Sequence, residues 1–207
     1  MRRFKPCDAF SGPLPHLKPV LENWCKIVVS WCDRNGWEDC PWWYGERSSL
    51  GLFALAAWEI GAAPLEEYST EKGMGKRRYT GRGDLLIPIG EEDYIIEAKQ
   101  KWISISNRAR KGKDKLRRSI MDAVNGAREA TEFRGRRAGL VFAVPYLPES
   151  EKDSIDERLA DWLGSLRELD TCAVAWVFPK KARRRFVLYD GYLYPGIAVL
   201  IRPLRRM

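Results

Sequence analysis

Histidine is almost missing: His16 is the only one in 207 residues. No Ser-His-Asp set is found around it, and no zinc spacing is present. The five cysteines, Cys7, Cys25, Cys32, Cys40 and Cys172, include no Cys-x-x-Cys pair. Their odd number argues against a disulfide framework and predicts reduced, mostly buried thiols. Long apolar runs are missing too. The longest, residues 50–58, stops at Glu59 and is too short to span a bilayer. The first residues are charged and lack the apolar stretch of a secretory signal, so a cytoplasmic protein with no membrane partner is expected. There is no Gly-rich P-loop and no internal repeat.

Positive charge is what the chain has in excess. Thirty-six Lys and Arg against 28 Asp and Glu give a formal net charge of +8 and a sequence pI of about 9.3. That balance favours polyanionic partners, nucleic acid first. Nine tryptophans is many for this length. Core and interface anchoring is their commoner use, base stacking the rarer one. The length suits one domain with additions.

Residues 81–100, Gly-Arg-Gly-Asp-Leu-Leu-Ile-Pro-Ile-Gly-Glu-Glu-Asp-Tyr-Ile-Ile-Glu-Ala-Lys-Gln, organise the rest. Two apolar runs, 85–89 and 94–96, flank a turn-like Gly90-Glu91-Glu92-Asp93 and predict a hairpin. A turn centred between Glu91 and Glu92 pairs Ile89 with Tyr94, Leu86 with Glu97 and Asp84 with Lys99. Asp84, Glu97 and Lys99 then share one face, with opposed Cβ atoms ~5 Å apart. A divalent cation bound by carboxylate oxygens at ~2.1 Å fits between Asp84 and Glu97. The plainer reading of the same residues is a surface ion pair, which stabilises little.

Gly83-Asp84 followed by Glu97-Ala98-Lys99 on the next strand resembles the PD-(D/E)xK nuclease superfamily, with Gly83 in place of the proline. The resemblance implies Mg²⁺ or Mn²⁺ held by Asp84 and Glu97, with Lys99 beside the attacking water. It implies a further ligand in the Ala98 carbonyl, and a glutamate from the helix before the core sheet. Glu46, in the first turn of a helix predicted over residues 46–60, matches that glutamate better than Glu59, which lies on another helical face. An acid at Glu46 would also complement the helix dipole without any metal. Some such nucleases carry an iron–sulfur cluster, but the cysteine spacings here are too wide to suggest one.

In order, residues 1–15 read as an irregular lead-in rich in Pro, Gly and charge. Leu17, Val20, Leu21, Trp24, Ile27, Val28 and Trp31 recur at helical spacing, up to Asn35-Gly36. Of the adjacent Trp42, Trp43 and Tyr44, some should plug the core and one could stack on a base. The helix at 46–60 is apolar on nearly every side, which predicts burial. Residues 65–72 read as the first core strand. Lys72, Lys76, Arg77, Arg78 and Arg82 border the following loop, either as phosphate contacts or as a solvated face.

After Lys99, residues 101–118 are basic apart from Asp114, and a helix is expected over 112–132 with Leu116, Ile120, Ala123, Val124 and Ala127 inward. Gln100, Lys101, Arg108, Arg110, Lys111, Lys113 and Lys115 join Arg82 as candidate nucleic-acid contacts, Gln100 as one that orients the site. Residues 139–146 should form a strand parallel to that of Glu97, because a helix crosses between them. A helix at 150–169 and strands at 172–178, 185–189 and 197–201 complete the chain. The basic cluster at 180–185 could extend the nucleic-acid face or only solubilise a turn.

The expected fold is α/β: a restriction-endonuclease-like mixed central sheet flanked by helices, with an added N-terminal helix and C-terminal strands. Residues 1–42 read as an N-terminal helical extension packed on the core. Residues 43–207 read as the nuclease-like domain, the two forming one compact unit. The added elements are candidates for substrate choice or homodimer contacts. The expected function is a metal-dependent nuclease acting on nucleic acid, DNA before RNA. A non-catalytic nucleic-acid-binding module on the same fold is the alternative. A protein-interaction role for the acidic cluster is a third reading.

Overall fold

In the computed structural model, the apolar stripe Leu17, Val20, Leu21, Trp24, Ile27 and Val28 is the buried side of helix α1 (Leu17–Arg34). The structure describes residues 7–10, 12, 14–73, 77–106, 112–130, 132–166, 168, 169, 171, 173–186 and 190–204. A strand β1 (Cys7–Phe10) precedes α1, where the sequence suggested only an irregular lead-in. β1 is held by antiparallel pairing with the distant β6 (Ala173–Val177), a tertiary contact that local composition does not report.

After α1 a 3₁₀ turn (Pro41–Trp43) leads into α2 (Glu46–Glu59), then strands β2 (Leu65–Lys72), β3 (Tyr79–Ile89) and β4 (Glu92–Ser104). Helix α3 (Gly112–Glu129) crosses over to β5 (Arg136–Pro148), which runs parallel to β4. A 3₁₀ segment (Glu149–Ser154), α4 (Ile155–Leu166), β6, the short β7 (Tyr192–Leu193) and β8 (Ile197–Pro203) follow. The sheet runs β1-β6-β8-β5-β4-β3-β2, with β7 pairing β5 off that path. It is a mixed eight-stranded sheet, and four helices flank it among the described residues.

Alternation along the central strands builds two cores. Leu140, Phe142 and Val144 of β5 face a cluster that includes the inner sides of α1 and α2. Val141 and Ala143 face Leu116, Ile120 and Val124 of α3 and Leu159 of α4. The inward set on α3 is the one its periodicity indicates. α2 departs from expectation: Leu55 and Trp58 are 43% and 58% exposed, because the sheet and α1 cover only part of its surface. The strand expected at 185–189 is not found as such: Arg185 lies in a turn after a 3₁₀ segment (Ala182–Arg184), and residues 187–189 fall outside the described residues. No helix among the described residues is long and apolar enough to cross a membrane.

Candidate active site

β3 and β4 form the expected hairpin, but its turn is tighter than four residues. Ile89 pairs with Glu92, Ile87 with Tyr94 and Leu85 with Ile96, so only Gly90 and Glu91 make the turn. The positive φ of 62° at Gly90 suits the first central position of a two-residue hairpin loop. The expected pair Leu86 with Glu97 is therefore corrected, Leu86 facing Ile95, and the ladder ends at Leu85 with Ile96, so Asp84 is not paired with Lys99. The slip is an even number of residues, so side chains keep their faces. Asp84, Glu97 and Lys99 still meet.

The backbone of Ala98 is the hub. Its N–H donates to Asp84 Oδ2 at 2.7 Å, and its carbonyl accepts from Lys99 Nζ at 2.7 Å. Lys99 Nζ also lies 4.0 Å from Asp84 Oδ2 and 3.9 Å from Glu97 Oε1. One positive charge thus stands among three oxygens, from Asp84, Glu97 and Ala98. These are the ligands that the sequence resemblance nominates. Two carboxylates and a carbonyl form a hard donor set, and Mg²⁺ commonly takes only one or two carboxylates from a protein. The residues present therefore fit such an ion.

Glu97 is also gripped from the other side. Lys72, at the end of β2, places Nζ 3.2 Å from Oε2 and 3.5 Å from Oε1. The two side chains are only 11% and 13% exposed. Burial, seconded by the charge of Asp84, pushes the Glu97 carboxyl above the usual carboxylate range, and Lys72 and Lys99 oppose that rise. Lys72 is thus no solvated loop residue. It is a buried partner of the central carboxylate.

Three glycines make room for this arrangement. A Cβ on Gly81 would meet Lys72 Cδ at 3.0 Å, and one on Gly126 of α3 would meet Glu97 Cγ at 2.8 Å. A Cβ on Gly83 would lie 2.2 Å from Tyr68 Cζ. The Tyr68 ring thus occupies the space that a side chain at position 83 would need. Tyr68 packs edge-on against Phe133 at 5.2 Å, and its hydroxyl is buried with no hydrogen-bond partner among the described residues. Burial, then the charges of Glu97 and Asp84, push its phenol up to about 12.

Glu46 does not join Asp84 and Glu97. Among the described residues no group of three His, Cys, Asp or Glu is placed to hold a metal ion. Instead Glu46 Oε2 accepts the backbone N–H of Gln100 at 2.8 Å, anchoring α2 to β4 one residue past Lys99. The Gln100 side chain is clamped as well, donating to the Trp42 carbonyl at 3.1 Å and accepting from Ser49 Oγ at 2.7 Å. Its placement suits support of the strand rather than contact with a ligand. Glu59 lies on the outer side, accepting from Asn23 at 3.0 Å.

The candidate nucleic-acid contacts divide. Lys101 follows on β4, half-buried. Arg82 pairs with Glu67 at 3.8 Å, Lys113 pairs with Glu168, and Lys115 donates to the Trp102 carbonyl at 2.8 Å. Arg108, Arg110 and Lys111 lie outside the described residues. In the 180–185 cluster, Lys181 sits 5.2 Å over the Trp37 ring and Arg183 is buried against Asp156. Of the aromatic triplet, Trp42 is buried and Tyr44 is exposed.

Sequence reasoning missed Tyr68 and the true place of Lys72. The signal was present as Gly81-x-Gly83 opposite Tyr68-x-x-x-Lys72, small residues on one strand facing large ones on its neighbour. Comparison with family models, with characterised proteins and with solved structures finds no match.

Proposed function

We propose that the protein is a metal-dependent nuclease with a restriction-endonuclease-like core, acting on DNA before RNA. The supporting observation is the Lys99 ammonium held among Asp84, Glu97 and the Ala98 carbonyl, on a hairpin followed by a crossover helix and a parallel strand. Asp84, Glu97 and the Ala98 carbonyl would hold Mg²⁺ or Mn²⁺, which supplies Lewis-acid polarisation of the scissile phosphate. Asp84 accepts the N–H of the same residue, Ala98, whose carbonyl accepts from Lys99 Nζ. Lys99 would place its ammonium where negative charge develops on phosphate. Glu46 acts as a positioning residue, holding the Gln100 N–H so that Lys99 keeps its strand geometry.

The test is a cleavage assay on plasmid, linear duplex and single-stranded DNA, with Mg²⁺ or Mn²⁺ and with chelator. Cleavage that needs the cation and is lost in Lys99→Ala is the expected result. Absence of cleavage on all substrates sinks the reading. One observation favours a binding module instead: Lys72 and Lys99 already neutralise both carboxylates. Tight DNA binding that is indifferent to chelator, without cleavage, selects that alternative.

A further inference from the structure

β2 contributes two side chains to the carboxylate cluster: Lys72, which the sequence nominates only as a possible phosphate contact of the following loop, and Tyr68, to which the nuclease reading gives no task. Tyr68 and Lys72 share a face of β2, with buried Thr70 between them. Each is laid across β3 above a glycine: the Lys72 stem over Gly81, and the outer end of the Tyr68 ring over Gly83. Lys72 ends on Glu97. Tyr68 is only 5% exposed, and its hydroxyl lies over Gly83, the residue before Asp84, with no hydrogen-bond partner among the described residues. A buried hydroxyl without a partner is uncommon and calls for an acceptor. Two glycines at alternate positions are a specific arrangement, since a methyl at Gly83 would drive the hydroxyl from its place.

The chemistry of that acceptor follows from charge. Asp84 and Glu97 carry two negative charges, and Lys72 and Lys99 carry two positive charges, so the cluster is neutral as it stands. A divalent cation makes it doubly positive and draws on the Glu97 oxygens that now hold Lys72. The cluster then has an excess positive charge, an ammonium with weakened ties and a phenol O–H that still has no acceptor. An anion with several oxygen acceptors matches all three, and a phosphodiester is such an anion.

We propose that the Tyr68 hydroxyl and the Lys72 ammonium form a phosphate-oxygen subsite beside Asp84 and Glu97, binding a non-bridging oxygen of a phosphodiester when a divalent cation is present. This rests on the nuclease reading for its substrate class and extends the site to β2. Lys72 has two states: it neutralises Glu97 without the cation and turns to phosphate with it. Tyr68 acts only in the second state.

The experiment titrates the full chain with a dithymidine monophosphate, which carries one phosphodiester. Ca²⁺ replaces Mg²⁺, because it takes the same oxygen ligands. Tyr68→Phe keeps the ring over Gly83 and against Phe133 and removes only the hydroxyl. Calorimetry reads Ca²⁺ affinity and dinucleotide affinity separately, and a cleavage assay with Mg²⁺ runs beside it. Tyr68→Phe is expected to bind Ca²⁺ like wild type and the dinucleotide about tenfold more weakly, the worth of one hydrogen bond. Lys72→Met should weaken the dinucleotide further. If that variant does not fold, Tyr68→Phe alone decides. Equal dinucleotide affinity in wild type and Tyr68→Phe overturns the subsite and makes Tyr68 an ordinary core residue satisfied by water. Wild type that cleaves DNA but shows no cation-dependent dinucleotide binding also overturns it, while the nuclease reading stands. Wild type that cleaves nothing but binds the dinucleotide through Tyr68 supports the subsite and sinks the nuclease reading.

Discussion

Glu97 and Lys99 sit two residues apart and should fail in opposite ways. Glu97 is proposed as a ligand, so Glu97→Ala should abolish cation binding. Lys99 places an ammonium among the three oxygens that would hold the cation. Lys99→Ala removes that competitor, so cation affinity should hold or rise while cleavage is lost. A cation at a hundred times its dissociation constant stabilises by about 2.7 kcal/mol if it binds only the folded state. Melting curves with and without Mn²⁺ should therefore shift upward in wild type and Lys99→Ala, and stay put in Glu97→Ala. Full cleavage by Lys99→Ala would refute the role given to that lysine.

The same carboxylate sets a pH dependence. Glu97 has a folded-state pKa above its unfolded value, mainly through burial. Between those two values the folded state binds more protons than the unfolded one, so this group's contribution to stability falls as pH rises through the window. The cation needs the ionised carboxylate. Its stabilisation should be complete above the raised pKa and disappear as pH falls through it, at a pH above the usual carboxylate range. Melting temperatures with and without Mn²⁺, taken from neutral pH downward, measure this. A cation-linked shift that persists down to the ordinary glutamate range would contradict the burial of Glu97. Gly83 gives a separate prediction. Gly83→Ala forces a methyl into the Tyr68 ring and should cost about 1–3 kcal/mol, the usual penalty of overpacking. Pairing it with Tyr68→Ala should recover part of the loss, whereas independent sites would simply add.

At the level of elements, the hairpin and the crossover helix were legible because their signals are local. Apolar runs around a turn cluster marked β3 and β4, and helical spacing marked α3. The turn length was not legible. Gly90-Glu91-Glu92-Asp93 offers turn residues at four positions, and the choice of two follows from pairing Ile89 with Glu92. The site survived that error because Asp84, just past the end of the β3–β4 ladder, reaches the Ala98 N–H with its side chain. Tyr68 and Lys72 escaped because their roles arise across β3, from a strand whose own composition looks like a polar edge. Glu46 was located correctly at the start of α2, yet its partner turned out to be a backbone N–H. Glu46→Ala should therefore reduce cleavage with little change in cation affinity, Glu46→Gln should be milder because its amide oxygen can still accept the Gln100 N–H, and Glu59→Gln should change neither. Loss of the cation-linked melting shift in Glu46→Gln would instead restore Glu46 as a ligand.

Across the whole molecule, net positive charge favours the proposed polyanionic partner but does not say where it would lie. Part of that charge is already used: Arg183 is buried against Asp156, and Lys181 sits over Trp37. The outer side of α3 differs. Arg117 and Arg118 are exposed there, with Asp114 as their nearby partner. Exposed pairs of this kind are weak, so phosphates can compete for these cations. α3 also carries Gly126 against Glu97, which places this helix beside the candidate site. If about five phosphates of a duplex are neutralised, the logarithm of affinity should fall with the logarithm of salt at a slope near −4.5, measured with chelator present. Replacing Arg117 and Arg118 by Ala should flatten that slope by about 1.8, two phosphates' worth. Replacing Lys180 and Arg185, exposed but outside α3, should leave it unchanged. A slope that responds only to the second pair would move the nucleic acid away from α3, and with it from Asp84, Glu97 and Lys99. A flat salt response in the wild type would remove nucleic acid as the partner.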